Sequence, residues 1–596
     1  MDIELQKRIN DAVIALGQLS AQPIDFQQMD PVAKMMLVAL VCETQKIQDY
    51  VDGTTERIVD RFCVDFIPRQ NVEATPAVCL LCPELKARSG GAMATTGSGD
   101  IFSYKMPNSK LPLNYIPIFN TTLLPHSGLY LLNQRILRHG GDAINISMEK
   151  PNRLWVGIKT ATEVDSLKGI SILIRGTAGV MPSHISVATV GQELDFSTMS
   201  EMENIEMAEP FDAQQGSNQF FSLIENWKEN LLNIDNAALL YITDEAVDRD
   251  LFKPRPYPRQ FQQWLESEVL DYFEPSTIWL RLDFPEGFDV PDDCQVMLNT
   301  LPVTNIDVNS LMLTQTQPIA KLQKTDESFF LRILETSASS HRQGFAMTND
   351  EIIVRDFDAQ CYNNGHLYRD VRNLYNRFID DYYAFIEYNG IKDGEVLRQL
   401  RETINKLGKS VGQQNEKFKF DSGTYVMKNM SQYPPTSSTR VSYITTMGRI
   451  GNTPRAGEQL ENKKNPALEQ KADIVVSAMG GTDKATADER YEQLRYYALT
   501  NDRLYTRMDI DAFLRKELLA EYGKEEFRRI FIKISIEGAG GADSLQRGLY
   551  IDIEFKDRKN YEHARRMSFD HLLLQRIRNK SCIAMPIHIK LRNLEE

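Results

Sequence analysis

Cysteine, histidine and tryptophan are scarce in this chain of 596 residues, which holds seven, eight and four of them. The cysteines (Cys42, Cys63, Cys79, Cys82, Cys294, Cys361 and Cys582) are odd in number and scattered. They build no disulfide framework, and a reducing compartment is expected. Their only close pair is Cys79-x-x-Cys82. A structural zinc site needs four ligands, from a second such pair or nearby histidines. There is no second pair, and the nearest histidine in sequence is His126, so two buried cysteines on a strand are expected. The histidines are widely spaced, with no HExxH or HxH, and His563 and His571 on a predicted helix lack neighbouring carboxylate ligands. Neither a metal site nor a cofactor is expected.

Catalytic motifs are missing too. There is no Gly-x-Ser-x-Gly elbow. Gly538–Asp543 is rich in glycine, but a strand follows it where a phosphate loop needs a helix, so a hairpin loop is expected. Gly480-Gly481-Thr482-Asp483 precedes a helix and offers amides to an anion, yet has no basic anchor. Helix capping by Thr482 or Asp483 is the expected role there. No catalytic residue, and so no enzyme, is expected.

Long apolar runs are absent. The longest, Met35 to Cys42, is far below the roughly 20 residues of a membrane span. Lys7-Arg8 is followed only by the short apolar run Ala12 to Leu16, so no secretory signal is expected, and the chain should stay in the cytoplasm. Cations are in deficit, at 68 Lys+Arg against 82 Asp+Glu, for a net charge of −14. That excludes a general nucleic-acid binder, which needs a basic face. Between Arg175 and Lys228 there is no cation at all, while Glu193, Asp195, Glu201, Glu203, Glu206 and Glu209 lie there. This stretch is a solvated acidic loop or a contact for a basic partner. The one positive cluster, Lys556 to Lys580 with Arg565 and Arg566, is a solvated helix face, then a docking surface for an acidic protein patch, and only third a nucleic-acid contact.

What remains is ordinary for a folded chain, with 42% hydrophobic and 25% charged residues. Residues 1–70 read as a helical bundle segment. Asp30-Pro31 marks a helix start. Val32, Met35, Met36, Ala39 and Leu40 then share a face, which Ile58, Phe62 and Phe66 continue. Residues 71–220 read as a β-rich domain with an acidic insertion. In it Leu154, Val156 and Ile158 alternate as in a half-buried strand, with Gly169–Ile174 as its neighbour. Residues 221–358 read as a second β-rich module led by Ile278, Leu280, Leu282 and Phe284. Residues 359–430 form an αα-hairpin whose seam is Leu367, Val371, Leu374 and Phe378. Residues 431–480 read as a linker. Residues 481–596 follow a helix–β–β–α–β order. The expected class is therefore α+β multidomain: an N-terminal helical region, two sandwich-like β-rich modules, an αα-hairpin and a C-terminal ferredoxin-like domain.

Two stretches carry a family resemblance. Ile278–Asn309 contains Leu298-Asn299-Thr300-Leu301-Pro302-Val303-Thr304-Asn305-Ile306. It resembles the signature segment of TssF, a baseplate wedge subunit of bacterial type VI secretion systems. Thr300-Leu301 stands where that family carries a cysteine. Gly480–Leu514, with its Gly-Gly-x-Asp element, resembles the wider J-like baseplate family of contractile phage tails and injection particles.

The resemblance implies a scaffold assembled on the cytoplasmic side of the inner membrane. A second copy of the chain and a TssG-like partner would complete a wedge around a spike hub, with TssK-like and TssE-like subunits attached. It implies neither nucleic acid nor direct membrane insertion. Met35, Met36, Leu40, Phe62, Phe66, Leu367, Val371, Leu374 and Phe378 become candidate bundle residues, and Arg565 and Arg566 candidate docking residues. Leu298, Asn299, Pro302, Val303 and Asn305 become the structural motif, with Pro302 and Asn305 fixing its turn. A wedge protein of a phage tail or extracellular injection particle is the alternative. A carbohydrate-binding tail protein is more remote, because Trp155, Trp227, Trp264 and Trp279 would have to share one groove.

Overall fold

The structure, a computed structural model, describes residues 73–208, 252–339 and 437–593 with short breaks, and also 237–244, 352–357 and 423–428. From the N-terminal region it describes 29–41 with residues 9, 12–14, 16, 44 and 67, and from the proposed hairpin only 399, 402, 403 and 406. The described part is mixed α and β, dominated by strands.

Alternating apolar residues dictate the centre of the molecule. Ala77, Cys79, Leu81, Leu301, Val303, Ile474 and Ala478 all point into one core. Their strands close a barrel in the order Val78–Leu85, Leu301–Thr304, Leu113–Pro117, Phe102–Tyr104, Gln459–Asn462, Leu468–Met479 and back to the first. The longest ladder of this barrel joins Val78–Leu85 to Leu468–Met479, from Val78↔Met479 to Leu85↔Leu468. Within the segment 431–480, the described residues 437–480 are therefore strands and a turn of the main body, and for them the linker reading is corrected. Their outward positions are polar, which disguises them in sequence, while Leu468, Ala472, Ile474 and Val476 are sealed inside.

Beside the barrel lies a sandwich of two sheets. Seven strands run from Gln192–Leu194 through His184–Val187, Thr277–Asp283, Arg153–Lys159, Gly128–Leu132 and Ile136–His139 to Asp142–Asn145. The other sheet orders Phe196–Thr198, Ala238–Ile242, Ser171–Arg175 and Gln295–Leu298. Leu154, Val156 and Ile158 meet Ile172 and Ile174 across the shared core. Ser171–Arg175 thus faces Arg153–Lys159 across the sandwich and is not its neighbour in one sheet. Thr277–Asp283 is that neighbour, from Thr277↔Lys159 to Asp283↔Arg153. The first part of the second expected β-rich module, up to Thr304, is interleaved with the first module.

The Arg153–Lys159 strand is buried on both faces. Trp155, Trp279, Tyr130, Phe261 and Phe273 form a second core behind it. At Gly157 a Cβ would lie 2.7 Å from the Trp279 ring, so the indole occupies the space a side chain would need. The described part of the acidic stretch, up to residue 208, is no free loop either. The backbone of Glu206 and Ala208 bonds to Asn120 and Ile118, and Ile205 and Ala208 are buried.

A smaller pair of three-stranded sheets follows. One orders Asp307–Thr314, Ser438–Thr446 and Phe329–Ser339; the other orders Ile319–Lys321, Gly423–Lys428 and Ile352–Phe357. Leu313, Leu322, Val426, Val441 and Tyr443 close between them.

The C-terminal unit starts with helices Ala487–Thr500 and Arg507–Tyr522. Strands Phe527–Gly538 and Leu545–Phe555 follow as an antiparallel pair. Helices Arg558–Arg566 and Phe569–Lys580 then return the chain to strand Ile587–Asn593, which lies parallel to and directly beside Leu545–Phe555. A ferredoxin-like unit would insert a strand between those two. The adjacency corrects that expectation to an unsplit βαβ crossover.

One buried ion network holds this unit. The Glu517 carboxylate meets Lys516 at 3.1 Å and Arg576 of the neighbouring helix. The Lys516 ammonium lies 4.8 Å from the Tyr496 ring centre. Burial alone pushes the Glu517 carboxyl up, but the two cations outweigh it and hold the group down at about 2. A depressed carboxyl stabilises the fold above its unfolded pKa of roughly 4.3, and that contribution fades as pH falls toward the folded value. Glu517→Gln is expected to lower unfolding stability at neutral pH by about 3 kcal/mol. The gap between variant and wild type should narrow below about pH 4 in urea melts.

Candidate functional site

The segment 298–306 is where the chain passes from sandwich to barrel. Leu298 ends the sandwich strand and Leu301 begins the barrel strand, with Asn299-Thr300 between them. The step needs a left-handed residue, and Asn299 takes it at φ 59°. Asparagine tolerates that region far better than most side chains. Its Oδ1 accepts from the Leu124 amide and its Nδ2 donates to the Leu124 carbonyl, both at 2.9 Å. The carboxamide thus serves one backbone residue as a strand partner would. Pro302 lacks an N–H, and its carbonyl accepts from Ile118 at 3.0 Å. Leu298, Pro302 and Val303 are all buried, Val303 within the barrel core.

Asn305 gathers more distant segments. Its backbone amide donates to Ala77 at 2.8 Å. Its Nδ2 donates to the Asn114 carbonyl at 2.9 Å. Its Oδ1 accepts from the Met447 amide at 3.0 Å and from the Thr446 hydroxyl at 3.3 Å. The side chain is 2% exposed, so each of these groups would be stranded without it.

Met447 opens the turn Gly448–Asn452, where the second resembling stretch arrives. The Asn452 carboxamide bonds both the amide and the carbonyl of Gly481 at 2.8 Å. A Cβ on Gly481 would lie 2.3 Å from the Gly448 carbonyl, and one on Gly448 would lie 2.3 Å from Asp483. The Asp483 carboxylate accepts from the Arg449 amide at 2.8 Å. Thr482 pairs through its backbone in both directions with Thr75, at 3.0 Å each. Neither Thr482 nor Asp483 caps the following helix. Thr486 does, in a capping box with Glu489.

The turn also reaches outward. The Arg449 guanidinium donates to the carbonyls of Ala520 and Glu521, at the C-terminus of helix Arg507–Tyr522. Those carbonyls have no partner within the helix, and a cation suits that end of the dipole. Two sequence stretches some 175 residues apart therefore lock onto one turn, which also holds the C-terminal unit.

Other candidates fall differently. Helix 31–41 is capped by Asp30, whose Oδ1 accepts from Val32 at 2.8 Å. Leu37 and Val41 pack against Ile9 and Val13. Met35, Met36 and Leu40 lie on the other side, 70%, 70% and 66% exposed. Phe62, Phe66, Leu367, Val371, Leu374 and Phe378 lie outside the described residues. Arg565 is exposed, its guanidinium 5.8 Å from the Tyr561 ring, and Arg566 ends the same helix. Cys79 sits in the barrel core, and Cys82 points outward to the Leu298 carbonyl at 3.5 Å. Burial pushes both thiols up, Cys82 to about 11, so neither is a ready thiolate. Among the described residues no three His, Cys, Asp or Glu converge as metal ligands, and no helix is long and apolar enough to cross a membrane. Trp155, Trp264 and Trp279 do come together around Phe261, but Trp155 and Trp279 are sealed in a core and offer no sugar platform. Asn452, Arg449 and Asn114 escaped the sequence reading, since their meaning depends on partners far along the chain.

No family model matches the chain, and no curated protein matches it. Among solved structures, a chain of the type VI secretion system TssK-TssF-TssG baseplate subcomplex, determined by cryo-electron microscopy, aligns at 10% identity. The alignment covers 94% of this chain and 96% of that one, with a TM-score of 0.43.

Removing the Asn305 carboxamide should leave buried amide and carbonyl groups unpaired. Asn305→Ala is expected to cost about 3 kcal/mol or more in chemical unfolding. Asn299→Gly keeps the backbone shape and loses only the side-chain pair. Asn299→Ala loses both and should be about 1 kcal/mol worse than the glycine variant. Equal midpoints for the two would remove the role of the left-handed step.

Proposed function

We propose that this chain is a structural subunit of a contractile type VI secretion baseplate. In this reading it is a TssF-like wedge component that binds a second copy of itself and a TssG-like partner around the spike hub. It transforms no molecule. The convergence of segments 298–306 and 480–483 on the turn Gly448–Asn452 carries the reading. These are the stretches that resemble baseplate proteins, and their meeting accounts for both as parts of one architectural junction. The apolar ridge of Met35, Met36 and Leu40 fits the same role. Exposed methionines adapt to a partner surface, and contiguous apolar exposure marks interaction sites.

The test is co-expression of the full chain with the TssG-like, TssK-like and TssE-like subunits of the same genome, with the mass of the purified complex measured. A wedge with two copies of this chain per TssG-like subunit is expected. A monomer that ignores every partner would sink the proposal. Within a formed complex, Met35→Asp with Leu40→Asp should cut partner recovery about tenfold while leaving the circular dichroism of the isolated chain unchanged. Arg565→Glu with Arg566→Glu separately tests docking at the basic helix. Undiminished recovery there would remove that face from the interface.

A further inference from the structure

The C-terminal sheet leaves one long edge open. Strand Phe527–Gly538 pairs with Leu545–Phe555 on one side and with no strand on its other side among the described residues. An open edge presents a row of backbone donors and acceptors, which an extended chain satisfies best. A cleft of about 270 Å³ lies between this edge strand and the two preceding helices. Its lining is Leu499, Met508, Ile530 and Ile532, with Arg495, Arg507 and Asp511 at the rim. Leu499 and Met508 are 51% and 71% exposed.

We propose that this edge and cleft bind an extended segment of a partner protein, added as a fourth strand, with apolar side chains at alternate positions and carboxylates beside them. Three observations select that occupant. Ile530 and Ile532 are two residues apart on one face, and an added strand presents its own side chains to that face at the same period. The charge at the site is positive. Arg507 makes no ion pair among the described residues, Arg495 holds only a long 3.6 Å contact to Glu492, and Asp511 is already taken by Arg515 at 2.8 Å. In a chain of net charge −14 this is a local reversal that suits an acidic partner. The same cations oppose pairing of this edge with itself, which argues against a second copy as the occupant. The apolar floor in turn disfavours a phosphate backbone. The inference goes beyond the baseplate reading and concerns this surface whatever assembly holds the chain.

The test uses the full chain and a bead-displayed library of random acetylated decapeptides. Enriched peptides should alternate apolar and polar residues and carry acids. For an enriched peptide, Arg507→Glu and Met508→Asp in the full chain should each raise Kd about tenfold, with unchanged circular dichroism. Methylating the peptide's amide nitrogens on one alternate set should abolish binding, while methylating the other set should not, because a strand pairs along one edge only. The proposal is overturned by failure to enrich, by peptides indifferent to both substitutions, or by equal tolerance of the two methylation sets. Oligothymidine that binds with the same sensitivity to Arg507→Glu would overturn it in favour of nucleic acid.

Discussion

The buried carboxamide of Asn305 is the constraint on which the centre of the fold depends. Its bonds run to Asn114 of one barrel strand and to Thr446 and Met447 at the exit of the smaller sheet pair, while its own backbone ties Ala77. Among the described residues no ladder joins the barrel to that sheet pair. An apolar side chain of the same size would fill the space but would leave an amide and a carbonyl in the dry interior without partners. Asn299 and Asn452 repeat the device, each pairing both ends of its amide with one backbone residue. Three side-chain amides thus complete connections where the chain leaves one sheet for another.

Polar locks differ from apolar packing in what they fix. Apolar cores tolerate rearrangement at modest cost, because contact between oily surfaces has little directional preference. An amide held at both ends fixes distance and direction together. Around the turn Gly448–Asn452 the locks are tight enough to exclude a Cβ at Gly448, Gly451 and Gly481. From that turn Arg449 holds the end of helix Arg507–Tyr522, so the C-terminal unit has a defined seat on the barrel. In the proposed scaffold role, such joints would sit inside each subunit and softer surfaces between subunits.

How much of this the sequence discloses depends on how local each signal is. Strands 529–537 and 549–555 and the helix near 511–522 are readable because alternation or periodicity lies within a dozen residues, and their observed bounds differ by a few positions. Asp30 as a cap is readable for the same reason. Leu468–Met479 is unreadable as a strand because it pairs with Val78–Leu85, almost four hundred residues away. Its exposed face is meanwhile as polar as any linker. The periodicity of helix 31–41 shows a shared face but not which face is turned inward. Leu37 and Val41 meet Ile9 and Val13, so the named ridge of Met35, Met36 and Leu40 is the outer one. At the junction, Asn299, Pro302 and Asn305 are visible through family resemblance alone. No local pattern could announce that Asn305 requires Met447.

The outer surfaces then divide by chemistry. The N-terminal ridge is apolar and rich in methionine, so it gains from any partner that removes it from water and demands little of that partner's shape. The basic helix with Arg565 is exposed, and in the proposed docking role it would add on-rate and orientation more than affinity. In the proposed assembly, neither surface alone would fix the angle between subunits. In that reading the angle would come from the body behind them, where buried amides, unlike methylenes, have one good arrangement. The interior asparagines and the exterior methionines are therefore two halves of one physical requirement. The first makes the shape singular, and the second lets that shape be held by something else.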